Sequence, residues 1–322
     1  MPKQVASGGR GAERLDLGRP FEEYPLAVLG MIGKMILPIF PVSKKAAAVS
    51  VITREGLLRR RDVRRADGSN FSRDTFDVDE LTYNCVGYGH EQFVTKAMRE
   101  VYRNDFDADT YAQGMVQRIL DTELEIRIAA EIFDGTTNWP SGTAALYTDV
   151  STDWDDTAST IIADVEGAKE KVRDNCGMEA NTLVVSSAHL KSLKTNVIIK
   201  AMFPGIDVLT DVALFSNLSA IFGIPNILIG SGVYNAGGEG ATLSMTKIWS
   251  DDYCWVGVVP QSGDLVEPGV GRTMQWDAFG ADGYEWNMYT EPQTKTDVWQ
   301  GEHYVDEKVF DAYFGHLLLI DT

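Results

Sequence analysis

Residues 107–133, DADTYAQGMVQRILDTELEIRIAAEIF, read as one long amphipathic helix. Tyr111, Met115, Ile119, Leu120, Leu124, Ile128 and Ile132 recur close to the helical period, while Arg118, Asp121, Glu125 and Glu131 fill the other faces. Asp107 or Asp109 can cap the start, because a short carboxylate accepts the unpaired amides of a first turn. Asp134-Gly135 ends the helix near Phe133. Some 25 residues at 1.5 Å each give about 37 Å, long for a globular domain.

Upstream, residues 44–85 have the opposite character. Ala46–Thr53 is small and β-branched, Asp67-Gly68-Ser69-Asn70 supplies turn chemistry, and Phe76–Cys85 reads as a returning strand. A hairpin with so few large apolar residues cannot bury itself, and a lone two-stranded hairpin is marginal in water. Between the strands stand Arg59, Arg60, Arg61, Arg64 and Arg65. The tract has three readings: a nucleic-acid contact, a solvated tip, or a partner for acidic surface on a neighbouring copy. No interleaved aromatics are present to stack bases. The third reading is favoured, since arginine's forked donors suit carboxylates.

Composition supports that choice. The 322 residues carry 47 acidic side chains against 29 Lys plus Arg, a formal charge of −18. Such a surface repels nucleic acid in general, which argues against a high-affinity DNA-binding module. Cys85, Cys176 and Cys254 are odd in number and widely spaced, and suggest neither a zinc ribbon nor a disulfide framework. Tyr24–Val42 is long enough to span a bilayer, but Lys34, Pro25, Pro38, Pro41, Gly30 and Gly33 interrupt it. It reads instead as an apolar arm that packs on its own or another subunit. Met1–Pro20 is Gly-rich and polar and is expected to be mobile.

Downstream, Thr136–Asp153 reads as a polar loop and Asp155–Cys176 as a second helix ended by Gly177. Thr182–Val185 is a buried-type strand, and Ser186 or Ser187 caps a helix through Leu193. Leu214–Phe222 is helical, with Gly223 after it, and Asn226–Ile229 is a strand. This order suggests a mixed α/β unit. Gly230–Gly240 reads as a loose surface loop. Trp249–Pro260, Thr273–Tyr289 and Thr296–Ile320 are strand-like and rich in Trp, Tyr and Val.

Catalytic and metal signatures are weak. His90, His189, His303 and His316 form no HExxH or HxH pattern. Ser186-Ser187-Ala188-His189 lacks a nucleophile elbow. Asp105-Phe106-Asp107-Ala108-Asp109 lacks the glycine and glutamate of a calcium loop and suits a helix N-terminus. Gly269-Val270-Gly271 lacks the third glycine of a dinucleotide fingerprint. Asp251-Asp252 and the Asp153, Asp155, Asp156 group read as solvated surface. No catalytic, metal or cofactor residue is assigned, and no enzyme activity is expected.

The order of elements carries a resemblance. An apolar arm with Leu37-Pro38…Pro41-Val42 precedes the charged hairpin. Tyr83-Asn84-Cys85-Val86-Gly87-Tyr88 follows it, and then the long helix ending Glu125-Ile126-Arg127-Ile128-Ala129-Ala130-Glu131-Ile132-Phe133. An α/β unit and Trp/Tyr-rich strands complete the chain. This resembles the major capsid proteins of tailed bacteriophages with the HK97-type fold, an α+β architecture. The resemblance implies an N-terminal arm at 1–43, an extended E-loop hairpin at 44–85, and a peripheral domain at 86–154 with a spine helix at about 109–133. It implies a mixed α/β axial domain at 155–270 and return strands to the peripheral domain at 271–322. Lys44 and Lys45 lie at the loop base, so the lysine–asparagine crosslink of some members is not carried over.

The implied function is self-assembly as pentamers and hexamers into an icosahedral shell around double-stranded DNA, with no sequence-specific contact. Scaffolding, portal and decoration proteins are further partners; a membrane is not. The implied location is the virion, with assembly in the host cytoplasm. One alternative is an encapsulin-like compartment enclosing enzyme cargo. Another is a carbohydrate-binding or hydrolytic surface protein, with Trp249, Trp255, Trp276 and Trp286 as a sugar platform. Tryptophans at strand spacing more often fill cores.

Overall fold

The computed structural model describes residues 30–320 except 66, 69, 74, 76–77, 104–105, 203–210, 239, 241, 263–266 and 279–282. The expectation of mobility for Met1–Pro20, residues 21–29 of the arm, Phe76 and Asp105 therefore lie outside the described residues. The arm enters as a helical turn, α1 (Gly33–Ile36), and strand β1 (Ile39–Val42). The hairpin is β2 (Ala46–Ile52), a short helix α2 (Arg54–Leu58) and β3 (Val78–Asn84). β4 (Val86–Thr95) leads through α3 (Lys96–Tyr102) to the long helix α4 (Ala108–Ile132). Next come β5 (Tyr147–Asp149), α5 (Ile161–Cys176), β6 (Thr182–Ser186), α6 (His189–Thr195), α7 (Val197–Ala201), α8 (Asp211–Phe222) and β7 (Asn226–Gly230). The rest is β8 (Val233–Asn235), β9 (Met245–Lys247), β10 (Tyr253–Gly257), β11 (Gly271–Trp276), β12 (Glu285–Glu291), β13 (Thr296–Val309) and β14 (Gly315–Leu319).

Among the described residues, two five-stranded sheets carry the fold. In the first, β13 is the spine of the sheet. It pairs antiparallel with β4 from Val86↔Val305 to Thr95↔Thr296, and on its other side with β12 and then β11. β1 runs parallel to β11 at the margin. Strand alternation puts Gly301, His303 and Val305 inside, with Gln300, Glu302 and Tyr304 facing outward. In the second sheet, ordered β5-β14-β10-β6-β7, the TLVVS run of β6 is buried throughout, as a central strand covered on both faces must be. β6 and β7 are parallel and joined through α6, α7 and α8. β11, β12 and β13 lie in the first sheet, whereas β14 pairs with β10 and β5 in the second. The final strand thus groups with segments of 155–270 rather than with the rest of 271–322.

The long helix forms as its sequence dictates. The Asp107 carboxylate accepts the Asp109 amide, and Phe133 closes the other end through a bond to the Ala129 carbonyl. Its buried stripe differs from the expected one. Ala108, Ala112, Val116, Leu120, Leu124, Ile128 and Ile132 face the sheet, four residues apart, while Tyr111, Met115 and Ile119 lie half-buried on the flank. Gly301 gives this stripe room: a Cβ there would sit 2.8 Å from both Val116 Cγ1 and the Trp286 ring, so glycine lets the helix come this close.

Four local expectations are corrected. α5 starts at Ile161, not Asp155; residues 155–160 turn instead, where the Asp156 carboxylate binds the Ala158 amide and Trp154 is buried with its indole N–H on Asp164. Neither serine caps α6: Ser186 stays in β6 and its hydroxyl donates to Asp251 Oδ1 at 2.5 Å. Residues 230–240 are not wholly a loop, since β8 pairs with β9, and the 136–153 loop contains β5.

One hydrophobic cluster joins the layers. Ile36 and Leu37 of the arm, Leu124, Ile128 and Ile132 of α4, and Val184, Trp249, Trp255 and Leu317 around the second sheet pack together. A second cluster lies between α5, α8 and that sheet.

Candidate functional site

Among the described residues, the hairpin is anchored at its root. Tyr83 and Cys85 are buried with Val42 and Met274, flanked by Phe40, Ala47, Val49, Trp276 and Tyr304. The Cys85 amide donates to the Lys45 carbonyl (2.8 Å), the Tyr83 hydroxyl to the Lys44 carbonyl (3.2 Å), and the Asn84 amide to Asp306 Oδ2 (2.8 Å). Beyond this root the strands keep register from Ala46↔Asn84 to Ile52↔Val78. Among residues 46–82 whose side chains are described, none is buried. Arg59, Arg60, Arg61, Arg64 and Arg65 are all exposed at the far end, beside Val63 (83% exposed), Phe71 (74%), Leu57 and Leu58. Arg61 donates to the Gly56 carbonyl at 2.9 Å, and the Arg65 guanidinium lies 4.2 Å from the Phe71 ring. Arginines set among exposed large apolar side chains make a surface suited to a macromolecular partner.

The outer face of the first sheet has the complementary sign. Register sets Glu285, Glu302 and Gly89 side by side, and Asn287, Gln300 and Glu91 in the next row. These residues line a shallow groove of about 310 Å³, and no lysine or arginine lines it. Partial desolvation, with the adjacent Glu302 carboxyl, raises the pKa of Glu285. Glu91 accepts from Gln300 Nε2 at 3.0 Å. Phe93 and Tyr289, both opposite Val298 and both exposed, give the groove an apolar end.

Beneath this sheet, α4 fastens the arm with charges that its sequence pattern had assigned to other faces. Glu125 is 3% exposed. Its carboxylate accepts the Ile32 amide (2.7 Å), the Gly33 amide (2.8 Å) and the Trp249 indole N–H (2.7 Å). Burial pushes its pKa up, against the pull of these donors. Asp121 accepts from Lys34 Nζ (2.6 Å) and the Tyr284 hydroxyl (2.7 Å). Arg127 pairs with Glu307 at 3.0 Å and covers the Tyr88 ring at 3.6 Å. At the helix start, Arg99 forks onto Asp109 (2.9 and 2.7 Å) and reaches Asp297 (2.8 Å).

The side chains weighed for chemistry are dispersed. Ser186 binds the Asp251 carboxylate while His189 Nε2 faces the Asp251 backbone oxygen, so these two do not pair with each other. His90 is exposed; His303 and His316 are buried. Gly271 opens β11, where a Cβ would meet the Lys308 carbonyl, and so serves close strand packing. Among the described residues no group of three or more His, Cys, Asp or Glu can hold a metal ion, and no helix is long and apolar enough to cross a membrane. The sugar platform does not form: Trp249 and Trp255 are buried in the central core, and Trp276 and Trp286 are half-buried elsewhere.

No protein-family model matches the chain, and no curated protein matches it in sequence. Solved structures do. A phage-related protein from Bordetella bronchiseptica RB50 superposes with a TM-score of 0.68 at 21% identity, over 91% of this chain and 92% of that one. The capsid of cyanophage P-SCSP1u gives 0.58 at 12% identity, over 97% and 94%. The SrpI encapsulin of Synechococcus elongatus PCC 7942 gives 0.52 at 10% identity, over 96% and 94%. The chain therefore has the HK97-type fold of tailed-phage capsids.

Proposed function

We propose that this chain is a shell subunit, a major capsid protein whose copies associate as pentamers and hexamers into an icosahedral container for double-stranded DNA. Its role is structural rather than catalytic. The observation that carries this reading is the hairpin, in which no described side chain of residues 46–82 is buried, in a chain of capsid fold. In the assembly, the arginine tract of one copy lies in the acidic groove of the next, and Leu57, Leu58 and Phe71 cover Phe93 and Tyr289. Single exposed ion pairs contribute about 0–1 kcal/mol, but a closed shell repeats the interface many times. The segments 1–43, 44–85, 86–154, 155–270 and 271–322 act as arm, extended loop, peripheral domain, axial domain and return strands, except that β14 of the last segment joins the second sheet. A chain of net charge −18 leaves packaged DNA mobile rather than gripped.

Negative-stain microscopy of the purified chain tests this: polyhedral particles tens of nanometres across support it, and a stable monomer under all assembly conditions overturns it. The encapsulin likeness motivates a second reading, a compartment for enzyme cargo. Nuclease treatment and mass spectrometry of the particle contents separate genome from cargo protein.

A further inference from the structure

His303 is 1% exposed, and neither ring nitrogen has a hydrogen-bond partner. Buried polar atoms are almost always paired, so an imidazole with both nitrogens orphaned calls for an explanation. Its ring stacks on Tyr284 (centroids 5.1 Å apart, planes at 30°) and meets Tyr88 edge-on (6.0 Å, 90°). Three parts of the molecule converge on this sandwich. The sheet supplies Tyr88, Tyr284 and His303, α4 supplies Asp121 and Arg127, and the arm supplies Lys34. Asp121 is already engaged by Lys34 and the Tyr284 hydroxyl, and Glu307 by Arg127. A proton on His303 thus meets two cations, Arg127 and Lys34, finds no acceptor for either ring N–H, and faces one carboxylate that is already in use.

We propose that His303 is an acid-sensitive latch, whose protonation frees the β4–β13 region of the sheet from α4 and the arm while the second sheet stays closed. The imidazolium is accommodated only if the aromatic sandwich opens to water. Burial first, then Arg127 and Lys34, push the imidazole from 6.5 down to about 4. In that interval the opened form binds a proton that the closed form does not. The closed seam is therefore fully favoured above the upper value and loses stability as pH falls toward the lower one. The carboxylates do not mimic this window. Asp109 and Asp297, held low by Arg99 and Thr290, lose their contribution only in stronger acid. Glu125, raised by burial, has the opposite sign. Burial lowers His316 too, with the same sign, but it lies in β14 of the second sheet with both nitrogens partnered, by Thr148 and the Ala145 carbonyl, so its titration acts outside the β4–β13 seam.

The test uses the full chain and His303→Phe, which keeps the sandwich and removes the titration. Hydrogen–deuterium exchange, corrected for intrinsic rates, is followed between pH 7 and 4.5. The opening constant of the seam is expected to rise by up to roughly 100-fold as pH falls from 6.5 to 4.5 in the parent chain, at most one decade per pH unit. Faster exchange is expected in peptides from β4, α4 and β13 but not from β6 and β7. His303→Phe flattens the response. A variant that follows the parent curve, or exchange that rises equally in β6 and β7, overturns the latch. Should the variant not fold, ¹³C-histidine spectra of the parent chain decide: a His303 imidazole that stays neutral below pH 5 supports the latch, and one that titrates near 6.5 overturns it. Both readouts apply to free subunits and particles alike, so they stand whether or not the assembly reading does.

Discussion

Glu125 shows what single side chains contribute and why a sequence hides it. Within its own helix it is one acid among several, indistinguishable from Glu123 or Glu131. Its role comes from Ile32, Gly33 and Trp249, each more than 90 residues away. Glu125→Gln would point an amide donor at a backbone N–H and is expected to lower unfolding stability by about 2–4 kcal/mol, read by denaturant titration. Gly33→Ala would place a Cβ 2.6 Å from Glu125 Oε2 and is expected to destabilise by about 1–3 kcal/mol. If either variant matches the parent within error, the carboxylate clamp does not hold the arm. The five arginines, by contrast, were legible from spacing alone, because five like charges without a core announce a surface.

At the scale of elements, the hairpin and α4 were readable for local reasons. β2 and β3 follow from β-branched residues around a turn, and α4 from Asp107 at one end and Asp134-Gly135 at the other. Its sheet-facing stripe was not readable, because it depends on what packs against it from across the fold, such as Gly301 against Val116. α5 was placed too early because its acidic lead-in reads like a first helical turn. Since the described residues of the hairpin bury side chains against their own subunit at the root alone, replacing residues 54–77 by a short turn should leave the thermal midpoint within a few degrees while abolishing particles. A midpoint drop as large as that of a core mutant would mean the hairpin is held by its own chain. Reversing Arg59, Arg60 and Arg61 to Glu should block assembly, and adding Glu91→Lys, Glu285→Lys and Glu302→Lys should restore it in part. Sedimentation velocity reads both steps. Assembly by the first variant at the parent level would rule out the acidic groove as its seat. The same contact should weaken as salt rises, since its charges are exposed.

At the scale of the whole molecule, the element order was legible but the division between sheets was not. β14 joins the second sheet because its apolar run pairs with Trp255 and Val256 of β10, a long-range choice that no local pattern encodes. The result is one hydrophobic seam from the arm through α4 to both sheets, with a single long appendage left outside it. On the proposed function, its partner surface belongs to another copy. A reconstruction of the assembled particle tests that claim most directly. The expected result is a closed shell in which residues 54–77 of each subunit lie across the β4–β13–β12 face of a neighbour. A hairpin folded back on its own subunit, or projecting into solvent from an intact shell, would contradict it.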